Sequence, residues 1–230
     1  MSKEDFTAFT LAEVLITLGI IGVVAAMTLP TLIQKQNDRA NITRLKKVYS
    51  SLSQAYLFAK EEHGSSEIWD IVDANLTSTR TIFSYFEPYF RIVKKCDNTA
   101  GCWSNSTKSL SGQTAYASDT NKIGQHFYGF ILEDGTYMSL DLCLTQHTFF
   151  GLPYNSNEMD IPFVLFFVDV NGNKNPNTVG KDVFGFAVGK EKIIPFGAGN
   201  NSATCNHSVN NNRAGYDCAY KVLLEDKISY

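Results

Sequence analysis

Two constellations in this chain have residue types and spacing that could do chemistry. The first is Glu13, which lies near the start of the longest apolar run, Phe9 to Ile33. As a helix that run would reach about 37 Å, against a bilayer hydrocarbon core of about 30 Å. An acid inside such a span is costly and ordinarily has a partner and a role. Thr10 lies three residues before it, so Thr10-x-x-Glu13 also fits a helix capping box in which the carboxylate reaches back to the Thr10 N–H. The second constellation is Asp169-Val-Asn171-Gly-Asn173-Lys-Asn175-Pro-Asn177-Thr-Val-Gly-Lys-Asp182. Alternating oxygen-bearing side chains suit a hard cation such as calcium, with Asp169, Asn171 and Asp182 as ligands. The glycine is misplaced for an EF-hand and no glutamate closes the loop. A hairpin connection built from Asx turns, with Gly172 and Pro176 setting the backbone, reads the same residues equally simply.

Other chemistry finds less support. The four histidines, His63, His126, His147 and His207, are scattered without metal-ligand spacing. No Gly-x-Ser-x-Gly or glycine-rich phosphate loop occurs, and carboxylates stand singly in loops, so the reading is non-enzymatic. A net charge of −3, with no extended basic stripe, argues against nucleic acid as the main partner.

Insertion of the apolar run is favourable despite its acid. About a dozen Leu, Ile, Val and Phe residues contribute roughly −0.3 to −0.6 kcal/mol each, against about +3 kcal/mol for a central carboxylate. A conventional signal peptide would place its cleavage near Val24-Ala25-Ala26, but the leader's one cation, Lys3, is offset by Glu4 and Asp5. Lys35, Arg39, Arg44, Lys46 and Lys47 follow the span, and cation counting alone would keep that side in the cytoplasm.

The polar leader, Phe9-Thr-Leu-Ala-Glu13 and the apolar stretch after it resemble the prepilin-type cleavage and methylation signal of type IV pilins and type II secretion pseudopilins. The likeness is strong from Phe9 to Pro30. It implies cleavage between Ala8 and Phe9 by a prepilin peptidase, methylation of the Phe9 amine, and assembly roles for Glu13, Gly22 and Pro30. Gly22 and Pro30 fall where many pilins bracket a helix stretch that loosens in the filament. Ala8 departs from the glycine most members carry before the cut. The resemblance implies a structural subunit of a type IV pilus or type II secretion pseudopilus, anchored in the bacterial inner membrane with its leader cytoplasmic and its C-terminal part exported. Implied partners are other pilin or pseudopilin subunits, the peptidase, membrane lipid, and the platform protein and assembly ATPase of the machine. It also implies calcium in a loop of the sheet region. The alternative is an anchored tip subunit, an adhesin or DNA-capture protein using the same signal; tip subunits often lack the acid that Glu13 supplies.

The rest of the chain must position these groups. The expected organisation is a leader over 1–8, a membrane helix over 9–33, its amphipathic continuation over 34–63 and a globular head over 64–230. Leu45, Val48, Leu52, Ala55, Tyr56 and Ala59 recur at helical spacing and should face a core. A short aromatic helix is expected over Thr81–Val93, with loop from Cys96 to Gln125. Residues 126–132 and 136–142, joined at Asp134-Gly135, read as a hairpin. Ile161–Val170 reads as a central strand, with shorter strands at Asp182–Val188 and Lys192–Phe196. The tail from Cys218 reads as either helix or strand. Long helix plus antiparallel sheet is an α+β, pilin-like class. Five cysteines leave one over. In an exported protein the spacings read as local bridges Cys96–Cys102 and Cys205–Cys218, with Cys143 a buried thiol; zinc at Cys205 and His207 is the competing reading.

Overall fold

The structure is a computed structural model describing residues 10–66, 69, 71, 73–104, 106–115, 127–143, 152, 163–199 and 204–230. Ala8, Phe9, His126, His147 and the Cys143 side chain lie outside the described residues. The chain divides into two compact units, Met1–Ala40 and Asn41–Tyr230. A single helix, α1 (Leu11–His63), begins in the first and ends in the second.

In the first unit α1 runs unbroken past Gly22 and through Pro30. A β-carbon on Gly22 would meet nothing within 4 Å, so among the described residues nothing requires glycine there. Thr17, Thr28 and Thr31 turn their hydroxyls onto preceding carbonyls, for example Thr28 Oγ1 to Val24 O at 3.0 Å, so no hydroxyl is left without a backbone partner. This is one helix long and apolar enough to cross a membrane, and leucines, isoleucines and valines from Leu11 to Ile33 are exposed along it.

The second unit is a helix-on-sheet α+β fold. From Asn41 onward α1 buries Ile42, Leu45, Val48, Leu52, Ala55, Tyr56 and Ala59, the stripe expected from their spacing. Helix α2 (Leu76–Phe86) is started by Asn75, whose side chain accepts the Ser78 N–H at 2.9 Å. A 3₁₀ turn, Glu87–Tyr89, follows. Six antiparallel strands then pair in sequence order: β1 (Ile92–Asp97), β2 (Tyr128–Leu132), β3 (Tyr137–Cys143), β4 (Phe163–Asp169), β5 (Val183–Val188) and β6 (Ile193–Pro195). Helix α3 (Cys218–Glu225) resolves the ambiguous tail, burying Cys218, Ala219 and Val222.

Two expectations need correction. The aromatic helix starts at Leu76 and stops at Phe86, because Pro88 cannot donate a helical hydrogen bond and opens the turn that follows. Beyond the turn, Ile92–Asp97 form strand β1 in place of the expected helix end and loop. As an edge strand it buries Cys96 and exposes Val93, Lys94 and Lys95, so it lacks the alternation that marks a half-buried strand.

Both faces of the sheet are covered. On one face Phe86 meets Phe166 edge-on with ring centroids 5.0 Å apart, and Tyr49 of α1 stacks on Phe186 at 5.7 Å. On the other, Phe167 packs edge-on against Phe196 and Tyr216. Central β4 is therefore buried on both sides, which explains its unbroken apolar run. Gly185 of β5 lies directly under the Phe196 ring, and a β-carbon there would overlap it. Gly185→Ala should lower the stability of this unit by about 1–3 kcal/mol, read as a lower Tm of the full chain in detergent.

Candidate functional site

At the helix start the capping geometry is present. The Thr10 N–H and Thr10 Oγ1 both donate to Glu13 Oε2 at 2.8 Å, and the Glu13 N–H donates to Thr10 Oγ1 at 3.2 Å. Glu13 thus bonds its own chain through one carboxylate oxygen. The apolar helix around it presents Leu15, Ile16, Leu18, Ile20 and Ile21 outward, each more than half exposed. Exposed apolar surface on this scale requires lipid or other helices to cover it.

The loop joining β4 to β5 brings Asp169, Asn171 and Asp182 together. Asp169 ends β4 and Asp182 immediately precedes β5; both are fully buried. Asp182 accepts three donors: the Thr178 N–H at 2.6 Å, the Asn177 N–H at 2.9 Å and Asn171 Nδ2 at 3.2 Å. Asp169 Oδ1 accepts the Asn171 N–H at 3.2 Å. With the Asn177 amide turned to suit its neighbours, its Nδ2 donates to Asp169 Oδ2 at 3.1 Å and to Gly172 O at 3.3 Å. Gly172 and Asn177 hold positive φ, as the tight turns demand.

Burial, with the neighbouring Asp182 charge as a second cause, pushes the Asp169 carboxyl up to about 8. Burial likewise lifts Asp182, but the amides of Thr178 and Asn177 oppose it and it stops at about 6. Calcium takes six to eight oxygens. Here five N–H donors face the two carboxylates, and Asn171 Oδ1 is the only side-chain oxygen of this trio that is buried without a hydrogen-bond partner. Among the described residues no three His, Cys, Asp or Glu side chains cluster as metal ligands. As folded, these residues do not fit a cation. They form a hydrogen-bonded clasp that ties two strand ends.

Both expected disulfides are formed, Cys96–Cys102 with Cα atoms 5.8 Å apart and Cys205–Cys218 with 4.9 Å. The second removes Cys205 as a zinc ligand, and His207 Nδ1 lies instead 3.3 Å from Leu110 O. His63 stacks on Tyr85. Sequence reasoning missed the amides of Asn177 and Thr178, which carry no side-chain signal for this role. It also missed Asp217, buried and raised in pKa by that burial, which accepts the Thr204 N–H at 3.1 Å.

No curated protein and no solved structure matches this chain. Residues 31–229 match one family model, described as a family of unknown function, DUF6613. That match takes in nearly all of the second unit, its helix, sheet and clasp together, and the chain belongs to that family.

Proposed function

We propose that this chain is a structural subunit of a type IV pilus or type II secretion pseudopilus, polymerised through its N-terminal helix. The observation that carries the reading is Glu13: an acid near the start of an all-round apolar helix, four residues after the expected cut at Ala8–Phe9. Cleavage there creates a positive amine on Phe9, and an amine next to a carboxylate in low dielectric is favourable where either alone is costly. The amine of an incoming subunit then meets Glu13 of its neighbour, so a misaligned subunit leaves a charge unpaired. Before assembly the helix lies in the bacterial inner membrane with the leader inside and the disulfide-bonded unit exported. The partners are other pilin-like subunits, the prepilin peptidase and the platform and ATPase of the machine. Mass spectrometry of the chain purified from its own cells is expected to find an N-terminal methylated Phe9. An intact Met1, or a cut near Ala26, removes the reading.

A further inference from the structure

Along the part of α1 that packs on the sheet, two features lie on opposite sides. On one side, Tyr49 lines an open groove of about 400 Å³ together with Lys192, Ile193 and Pro195 at β6 and Tyr220 and Leu224 on α3. Its outer lip is apolar and unburied, with Tyr220 40% and Leu224 70% exposed. On the other side Phe58 stands out, 50% exposed and stacked on Tyr89 with centroids 5.3 Å apart. Phe58 follows Tyr49 by about two and a half helical turns, which sets the two side chains roughly 180° apart and about 14 Å apart along the axis.

The charges match as well. Glu61 and Glu62 sit beside Phe58, one turn further along α1. Glu62 accepts the Tyr89 hydroxyl at 2.6 Å, and Glu61 is exposed and makes no ion pair among the described residues. Lys192, on the rim of the groove, is likewise exposed and makes no ion pair among the described residues. One flank therefore offers an aromatic knob with acids next to it, and the other an apolar groove with a free cation.

We propose that the groove between α1, β6 and α3 receives Phe58 of a second copy of this chain, with Glu61 of that copy facing Lys192. Because knob and groove lie on opposite sides, one partner cannot satisfy both at once. The contact is heterologous and repeats from copy to copy rather than closing as a two-fold dimer. This deepens the filament reading and rests on it.

The test is thiol cross-linking of the full chain in its own cells with a short bis-maleimide, using Phe58→Cys and Leu224→Cys and the unsubstituted chain as the Cys143 background. The double variant should give a ladder of dimers, trimers and higher species. A mixture of the two single variants should give dimer, and neither single variant should exceed the background. Dimer from Phe58→Cys alone would mean a symmetric contact and overturns the proposal. Filaments of the double variant without a ladder overturn it while leaving the filament reading intact. Absence of filaments from the unsubstituted chain overturns both.

Discussion

Glu13→Gln is expected to abolish incorporation of this chain into filaments while leaving its processing and membrane insertion intact. The substitution separates the two roles that the same side chain can have. Glu13 holds the N3 position of a capping box with Thr10, and glutamine serves that position as glutamate does. If capping were its whole task, Glu13→Gln would be silent. Even Glu13→Ala would cost only about 0.5–2 kcal/mol, the loss of one helix cap. If Glu13 receives the amine of the next subunit, glutamine leaves that positive charge buried and unpaired. Breaking a buried pair in this way costs about 3–5 kcal/mol, or a drop in incorporation of roughly a hundredfold or more. The measurement is the fraction of methylated chain recovered in sheared filaments against the fraction left in the membrane. Normal recovery of the glutamine variant would reduce Glu13 to a cap.

Much of the second unit was legible in the residues, and the failures share a cause. Tyr128–Leu132 and Tyr137–Cys143 announce themselves because Asp134-Gly135 supplies a turn between apolar runs, and Asp134 Oδ1 then accepts the Thr136 N–H to hold that turn. The α1 stripe was legible because one face packs and the other is wet. β1 was not, because at the sheet edge only Cys96 is buried, and two lysines occupy positions an interior strand would give to apolar side chains. The start of α2 carried a signal, Asn75 as a capping residue, but the polar turn after it hides the periodicity. For the clasp, the structure brings Asp169, Asn171 and Asp182 together through Asn171. Their bonding depends on main-chain amides, whose direction is set by φ and ψ and not by residue type. A pattern of alternating Asp and Asn therefore reads alike for a cation site and for Asx turns, and only the side the N–H groups face tells them apart.

That bonding gives the clasp an unusual dependence on pH. Both carboxylates titrate higher in the folded chain, at about 8 for Asp169 and about 6 for Asp182, than the value near 3.9 expected when unfolded. Between those limits the native state binds more protons than the unfolded one. Stability therefore falls as pH rises from about 4 to about 8, by up to roughly 1.4 kcal/mol per pH unit for each proton involved. The two acids should also respond differently to neutralisation. Asp169→Asn removes the more strongly perturbed charge. The Asn177 amide can turn to present its oxygen to the new amide, so this variant should melt higher than the parent at pH 8 and close to it at pH 5. In Asp182→Asn the amide oxygen can keep the Asn177 N–H and Asn171 Nδ2, but its NH₂ then faces the Thr178 N–H and leaves buried donors unmet, so this variant should be less stable at both pH values, by about 1–3 kcal/mol. Thermal melts of the full chain in detergent, in chelator and in millimolar calcium, complete the comparison. The closed clasp predicts superimposable curves. A calcium-dependent rise that grows with pH would mean instead that the amides swing away and the oxygens of Asp169, Asn171 and Asp182 turn to a cation.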